Sequence, residues 1–188
     1  MRDLLDDLAA ASAAARDLLD RIGPEQWTAP TPCDEWDVRA LTGHLVGMDL
    51  LLTAMFTGSE PPPREADHLG EDPAAAFRRS SAALREAAAL PGVLDRVQTT
   101  PVGTTTGRER LRWRVTDLLT HCWDLAQATG LAVNLPDDAV ERALAFAQAQ
   151  LPSQQRGSRF ASPRPVAAGA PALDRLAAFT GRTVPPSD

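Results

Sequence analysis

The segment from residue 107 to residue 130 contains the clearest helical periodicity in the chain and most limits its possible folds. Its apolar residues recur at spacings of three and four, and Gly130 follows them where a C-terminal helix cap belongs. The pattern predicts one long helix from about Glu109 to Thr129. Its apolar positions are Leu111, Val115, Leu118, Leu119, Cys122, Leu125 and Ala126. We therefore expect a fold in which this helix packs among other helices.

Other segments show the same amphipathic spacing and are separated by prolines and glycines. The predicted helices are residues 4–22, Asp34 or Asp37 to Thr57, 74–90, 109–129, 135–151 and 172–179. Residues 97–106 are Thr-rich and are predicted to be extended, as a short edge strand or an ordered crossover. Residues 152–171 are rich in prolines, glycines and serines, which predicts a loose connection.

These helices, in a chain with few aromatic residues and no tyrosine, predict an all-α fold. The expected architecture is a four-helix bundle with one long crossover connection and a short C-terminal helical appendage. A length of 188 residues suits a single domain. Within that domain we expect the bundle to occupy residues 1–151 and a C-terminal extension to occupy residues 152–188.

The charge pattern narrows the classes of partner. A net charge of −6 argues against a nucleic-acid-binding surface, and the 19 basic residues, all arginines, form no dense run. The N-terminus carries acidic residues where a signal peptide carries basic ones, and we expect no apolar run of membrane-spanning length. The prediction is a cytoplasmic monomer or homodimer that contacts neither nucleic acid nor membrane.

A histidine on one helix and an acid–histidine pair on another indicate a metal site. Asp117 and His121 are four residues apart, so their side chains project from one side of a helix, and Asp124 follows three residues later. His44 lies within the apolar stripe of the second helix, which predicts that it faces the interior. That stripe is Leu41, Leu45, Met48, Leu51, Leu52 and Met55. His44, Asp117 and His121 suit zinc by default, with nickel, ferrous iron and manganese as alternatives. Asp124 is a candidate to orient His121 or to accept a hydrogen bond from a ligand without touching the metal.

The same residues also permit plainer interpretations. On a helical wheel, the stripe of Asp117, His121 and Asp124 lies opposite the apolar residues of its helix, as a solvated outer face would. A histidine such as His44 on an apolar face is, taken alone, more often a core residue bonded to a carbonyl group. The arginines at positions 108, 110, 112 and 114 have the spacing of a solvated helix surface.

The remaining candidate residues have weaker signals. His68 lies in a proline-rich loop, where a solvent-exposed side chain is expected and a ligand role is not. Cys122 falls on the apolar side of its helix and is expected to pack as a small hydrophobic residue. Cys33 precedes the second helix and is a candidate for an exposed, reactive thiol.

Three segments resemble the DinB-like, mycothiol-dependent maleylpyruvate isomerase N-terminal family, in particular its small actinobacterial metal-binding members. They are Trp27 to Val46, which includes Pro-Thr-Pro-Cys-Asp-Glu-Trp; Asp117 to Gly130, which includes Asp-Leu-Leu-Thr-His-Cys-Trp-Asp; and Leu173 to Arg182. The resemblance implies a DinB-like four-helix bundle with a zinc-type metal on His44, Asp117 and His121. Enzymes of the wider group use the metal to activate a low-molecular-weight thiol, mycothiol or bacillithiol, for transfer or isomerisation.

Two departures separate this chain from the isomerase type. Position 117 holds Asp where the isomerase carries Glu, and we expect no counterpart of the isomerase's larger C-terminal substrate domain. We therefore expect a metal- and thiol-dependent transferase or isomerase acting on a small electrophile, with mycothiol as the candidate cosubstrate. One alternative is a non-catalytic metal- or ligand-binding bundle, such as a stress or interaction protein. Another is a metal-free helical module with His44 in its core.

Overall fold

The computed structural model describes residues 4–33, 36–63, 65–100, 103–151 and 160–186. Within these ranges the chain forms six α-helices, a short 3-10 helix at Pro24–Thr28 and one two-stranded hairpin. The helices are α1 (Leu4–Arg21), α2 (Val38–Thr57), α3 (Pro73–Ala88), α4 (Gly107–Thr129), α5 (Asp137–Gln150) and α6 (Ala172–Phe179), and the strands are β1 (Val97–Thr100) and β2 (Gly103–Thr106). The predicted all-α fold is confirmed.

Four helices form a bundle around one core. Helices α1 and α2 each pack against both α3 and α4, so α1 and α2 occupy opposite corners of the bundle. The connection between α3 and α4 is the predicted long crossover. Helices α5 and α6 pack against each other and against α4, and they supply the C-terminal helical material. Helix α4 therefore has neighbours on most of its circumference.

The core is continuous and consists mainly of leucine, alanine and valine side chains, with two phenylalanines. Burying one leucine or phenylalanine side chain contributes about 1.5–3 kcal/mol, so the sum drives the helices together. The fully buried apolar side chains of the bundle include Leu8, Leu18, Leu41, Leu45, Phe56, Phe77, Leu84, Leu111, Leu118 and Leu119.

Local capping sets the ends of the helices close to where the sequence predicts them. Of the two candidate caps for α2, Asp37 accepts a hydrogen bond from the N–H of Ala40 at 2.7 Å, while Asp34 lies outside the described residues. Thr106 and Glu109 form a reciprocal capping box at the start of α4, two residues before the predicted start. Gly130 ends α4 with a φ of +69°, a left-handed conformation that favours glycine.

The Thr-rich segment before α4 is a hairpin, not a single edge strand or a plain crossover. Its two strands are antiparallel, with Val97 opposite Thr106 and Thr100 opposite Gly103. The hairpin leads directly into α4, and the backbone passes very close to the preceding loop at Gly107.

A loose connection was predicted for residues 152–171. Residues 152–159 lie outside the described ranges, and residues 160–171 contain no helix or strand.

The buried face of α2 differs in part from the predicted stripe. Leu51 is 37% exposed, whereas Asp49, which the stripe omits, is fully buried. Met48 and Met55 are half-buried. The reason is a charge on a neighbouring helix: Asp49 faces the core because it pairs there with a buried arginine of α4. A helical wheel that considers only hydrophobicity places a charged residue such as Asp49 on the solvent-exposed side of the helix.

The sequence analysis expected no apolar segment of membrane-spanning length, but helix α2 is long and apolar enough to be one. By length and composition alone it qualifies as a membrane span, and 44% of its 18-residue apolar stretch is buried inside the protein. This is weak evidence for a span, because the core helix of a bundle meets the same criterion.

Replacing Gly107 with alanine tests the close approach before α4. A Cβ atom at this position would collide with the backbone carbonyl of Val93, so we expect a loss of about 1–3 kcal/mol in the free energy of unfolding. The matched control is Gly47→Ala in α2, where a Cβ meets nothing within 4 Å. There we expect a gain of about 0.5–1 kcal/mol from the lower entropy of the unfolded chain. Urea unfolding measures both, and equal effects would contradict the packing described here.

Candidate metal centre

Side chains from α2 and α4 meet where these two helices pack together. The Nε2 atom of His44 lies 3.1 Å from Oδ1 of Asp117, and Nε2 of His121 lies 3.3 Å from the same oxygen. The two imidazole rings are 5.0 Å apart between centroids and inclined at 72°. One ligand atom from each residue lies within 4.8 Å of the others. The structure therefore brings together the three side chains that the sequence pattern selects.

This donor set fits a divalent cation of the zinc type. Imidazole nitrogens and carboxylate oxygens are ligands that zinc takes in proteins, at about 2.0–2.1 Å. Ligand atoms at the corners of a tetrahedron of that size lie about 3.3–3.4 Å apart. The two distances to Oδ1 of Asp117 are close to that spacing and also suit hydrogen bonds.

The interpretation of this stripe as a solvated outer face is wrong. The side chain of Asp124 is completely buried and His121 is 6% exposed, while Val115 and Leu119 on the opposite side of α4 are buried as well. The physical reason is that α4 has packing partners on several sides, so two opposite faces are covered. Nor is His44 an enclosed core residue: its side chain is 24% exposed and that of Asp117 27%, which leaves the site accessible from solvent.

A buried arginine orients the carboxylate at the centre of the site. Arg114 is 1% exposed, and it donates to Oδ1 of Asp49 through Nε at 2.9 Å and to the carbonyl of Leu45 through Nη2 at 2.8 Å. Its Nη1 atom donates to Oδ2 of Asp117 at 2.5 Å. Since Arg114 occupies Oδ2, only Oδ1 of Asp117 faces the two imidazoles. The prediction that Arg114 lies on a solvated surface is therefore wrong.

The charges in the cluster stabilise one another. Burial on its own would raise the pKa of Asp117, but His121 and His44 beside it hold that pKa well below its usual value. Burial would likewise lower the pKa of Arg114, and Asp49 and Asp117 more than offset this and raise it. Asp117 is therefore ionised near neutral pH, as a metal ligand must be.

Asp124 determines which nitrogen of His121 faces the site. Its Oδ2 atom lies 2.8 Å from Nδ1 of His121, and Arg182 donates through Nε to Oδ1 at 3.1 Å and through Nη2 to Oδ2 at 2.8 Å. Burial would raise the pKa of Asp124, but the bonds from His121 and Arg182 lower it. An ionised Asp124 only accepts, so Nδ1 of His121 carries a proton and Nε2 remains available to a ligand.

A second group of ligand atoms shares His121, and it is the poorer candidate. It consists of Cys33, His121 and Asp124. Arg182 already engages both oxygens of Asp124 and lies 3.3 Å from the sulfur of Cys33, and that thiol lies 3.3 Å from Oδ2 of Asp124. A cation there would have to displace these bonds and approach an arginine, so the group around Asp117 is favoured.

An indole ring forms one wall of the site. Trp36 stacks on the ring of His44 with centroids 4.8 Å apart and an interplanar angle of 30°, and it lies 6.0 Å from the ring of His121. Its position is fixed by the loop before α2, where the Trp36 carbonyl accepts from the N–H of Thr31 at 3.1 Å and from its hydroxyl at 2.7 Å. Trp36 restricts the rotation of His44 and gives that side of the site an apolar surface.

The other candidate residues lie where their surroundings give them separate roles. His68 is half-buried and not fully exposed as predicted; its Nε2 atom lies 3.0 Å from the carbonyl of Pro63, and it belongs to neither ligand group. Cys122 is buried as predicted, and burial raises the pKa of its thiol to about 12. Cys33 is half-buried between Asp124 and Arg182, so it is less open than a surface thiol.

The sequence analysis did not identify four side chains around the site: Trp36, Asp49, Arg114 and Arg182. For Arg114 a signal was available, since an arginine three residues before Asp117 on the same helix is placed to reach its carboxylate. Asp49 has no comparable signal, because its partner is far away along the chain. Trp36 and Arg182 lie in two of the segments that carry the family resemblance, but their contacts with α4 are long-range as well.

Comparison with known proteins identifies the family to which this chain belongs. Residues 8–126 match the family described as mycothiol maleylpyruvate isomerase N-terminal domain. The chain belongs to this family. The match confirms the resemblance seen in the sequence, and the matched region contains all three side chains of the donor set together with Asp124. Arg182 lies beyond it.

Relatives of this member of the family occur in mycobacteria. An uncharacterized protein of Mycobacterium tuberculosis strain ATCC 25618 / H37Rv is 39% identical over 170 residues, which covers 89% of this chain and 91% of the relative. Its counterpart in strain CDC 1551 / Oshkosh gives the same values. No solved structure matches the chain.

The buried charge pair behind the site should be important for stability. Asp49→Asn leaves the charge of Arg114 without its main partner, so we expect the free energy of unfolding to fall by about 3–5 kcal/mol. In the exposed pair of Asp20 with Arg78, Asp20→Asn should cost less than about 1 kcal/mol. Urea unfolding of both variants checks this, and similar small losses would contradict the role of Asp49.

The stability of the metal-free protein should fall as the pH rises above neutrality. Burial alone would lower the pKa of His121, but Asp117, Asp124 and Cys33 raise it well above 6.5. Stabilisation from protonated His121 is therefore complete below about pH 6.5 and is lost as the pH rises through the folded-state pKa. A metal bound by His121 would reverse this trend, because it requires neutral imidazole.

Chemical unfolding in the presence of a chelator, from pH 5.5 to pH 9, measures this slope. His121→Gln should remove most of it, while His68→Gln should preserve it. An unchanged slope in His121→Gln would show that His121 is not its source.

Proposed function

We propose that the protein binds one divalent cation, zinc by default, through His44, Asp117 and His121. We further propose that it uses the site as a thiol-dependent transferase or isomerase acting on a small electrophile. The observation that carries the proposal is the convergence of two imidazoles from different helices on one oxygen of Asp117. Nickel, ferrous iron and manganese suit the same ligands and are alternatives to zinc.

The residues around the donor set prepare each ligand atom separately. Arg114 occupies one oxygen of Asp117, so this carboxylate is expected to bind with a single oxygen. Asp124 accepts from Nδ1 of His121 and directs Nε2 towards the site. Trp36 stacks on His44 and limits its rotation. Such support reduces the entropy that ligands lose on binding and is typical of metal sites in bundles.

The charge balance of the cluster favours an anionic partner. With both imidazoles neutral, the carboxylates of Asp49, Asp117 and Asp124 exceed the guanidinium groups of Arg114 and Arg182 by one negative charge. A divalent ion leaves the centre with one net positive charge, and a thiolate neutralises it. When bound, a cation of this type acts as a Lewis acid and lowers the pKa of a thiol or water towards neutrality. This supports a low-molecular-weight thiol, with mycothiol the candidate from the family, as cosubstrate.

Access to the site also supports a small-molecule reaction. His44 and Asp117 are partly exposed, and three protein ligands leave coordination positions for a substrate. A structural metal site, in contrast, is normally closed by four protein ligands.

The metal content of variants at the three proposed ligands tests the binding step. We expect purified wild-type protein to hold one metal per chain, and His44→Ala, Asp117→Ala and His121→Ala to hold far less, because each loses one of three ligands. His68→Ala is the matched control and should match the wild type. Elemental analysis and zinc titration give the values. Equal metal content in wild type and His121→Ala would rule out this site.

Reaction of the loaded protein tests the catalytic step. Metal-loaded wild type should consume mycothiol in the presence of an epoxide or an alkylating agent, or should isomerise maleylpyruvate with mycothiol released unchanged, and His121→Ala should lose most of that rate. A protein that holds metal through these residues, yet leaves every thiol and electrophile pair unreacted, would instead be a non-catalytic metal-binding bundle.

A further inference from the structure

The C-terminal segment reaches back to the metal centre, although it lies beyond the part of the chain that matches the family. Helix α6 ends at Phe179, and Gly181 follows with a φ of +103°, a conformation that side chains rarely adopt. A Cβ atom on Gly181 would also meet Ala161 at 2.6 Å. This turn directs the next residue, Arg182, back towards α4.

The guanidinium of Arg182 binds both oxygens of the carboxylate that orients His121. It donates to Oδ1 of Asp124 at 3.1 Å and to Oδ2 at 2.8 Å, and its side chain is 14% exposed. Two parallel N–H···O bonds between a guanidinium and a carboxylate define the orientation of both groups. Oδ2 of Asp124 is also the atom that faces Nδ1 of His121. A continuous chain of contacts therefore runs from the C-terminal segment to a ligand of the proposed metal.

We infer that Arg182 is a positioning residue of the metal centre: it holds Asp124 in the orientation that keeps Nε2 of His121 directed at Asp117 and His44. The inference rests on the proposed metal site. It also gives the segment from 173 to 182, one of the three that carried the family resemblance, a physical role at the site.

The attachment of α6 does not depend on Arg182 alone. Trp123 of α4 donates through Nε1 to Asp174 of α6 at 2.8 Å, and Leu176 and Ala177 are fully buried. A variant at position 182 is therefore expected to keep α6 in place and to change mainly the orientation of Asp124. This separates a positioning effect from general unfolding.

A double-mutant cycle on zinc affinity tests the inference in the full chain. Competition with a chromophoric chelator gives the zinc dissociation constant of wild type, Arg182→Gln, Asp124→Asn and the combined variant. We expect Arg182→Gln to weaken zinc binding about 10–100-fold, the range typical of residues that support a ligand. In the Asp124→Asn background the same change should have little further effect, because the contact it removes is already lost.

Two more variants serve as controls. Arg182→Lys keeps the positive charge and one donor nitrogen, so it should bind zinc more tightly than Arg182→Gln does. Arg175→Gln, in the preceding helix α6 and paired with Glu141 at the surface, should stay within about twofold of wild type. A zinc affinity of Arg182→Gln within about twofold of wild type would overturn the inference. So would a loss of affinity in the Asp124→Asn background equal to the loss that Arg182→Gln causes in the wild type.

A measurement without metal separates this inference from the proposed function. The ring ¹H and ¹⁵N signals of His121 report its bond to Asp124, and they should shift in metal-free Arg182→Gln but not in Arg175→Gln. If the wild type takes up no zinc, the proposed function fails, and these signals still show whether Arg182 orients His121 through Asp124. Unchanged signals in Arg182→Gln would overturn the positioning role.

Discussion

The burial of Arg114 between α2 and α4 is the interaction on which the rest of the site depends. A fully buried guanidinium is unfavourable unless its charge and its donors are satisfied. Here Asp49 neutralises it, the carbonyl of Leu45 accepts from it, and Asp117 accepts a hydrogen bond from its third nitrogen, Nη1. The same contacts fix the rotation of α2 against α4 and bring His44 opposite His121. The packing of α2 against α4 and the geometry of the donor set therefore have a common origin.

Two ion pairs support the donor set from different directions, and in both an arginine holds a carboxylate in one orientation. Arg114 orients Asp117 from inside the bundle, while Arg182 orients Asp124 from the C-terminal segment. Each leaves one defined atom for the site: Oδ1 of Asp117, and, through Asp124, Nε2 of His121. Buried charges of this kind add little net stability, since the cost of desolvation offsets the attraction. Their value here lies in orientation, because each fixes the direction of one candidate ligand atom.

Much of the fold was predictable because its signals are local. Helical periodicity, the cap at Asp37 and the glycine at 130 each act within a few residues, and the helix boundaries followed closely. The pairing of Asp117 with His121 was predictable for the same reason, since four residues separate them on one helix. The hairpin before α4 was only partly predicted, because its strands stabilise each other by pairing and have weak individual patterns.

The sequence by itself determined that the chain forms amphipathic helices and that His44, Asp117 and His121 are the candidate ligands. Only the tertiary structure decided that opposite faces of α4 are both buried, that Asp49 and Arg114 pair in the core, and that Arg182 returns to Asp124. The reason is that hydrophobic periodicity reports one buried face per helix. A helix with neighbours on several sides needs no exposed polar face. Which of its polar residues find partners depends on distant segments of the chain that meet only after folding.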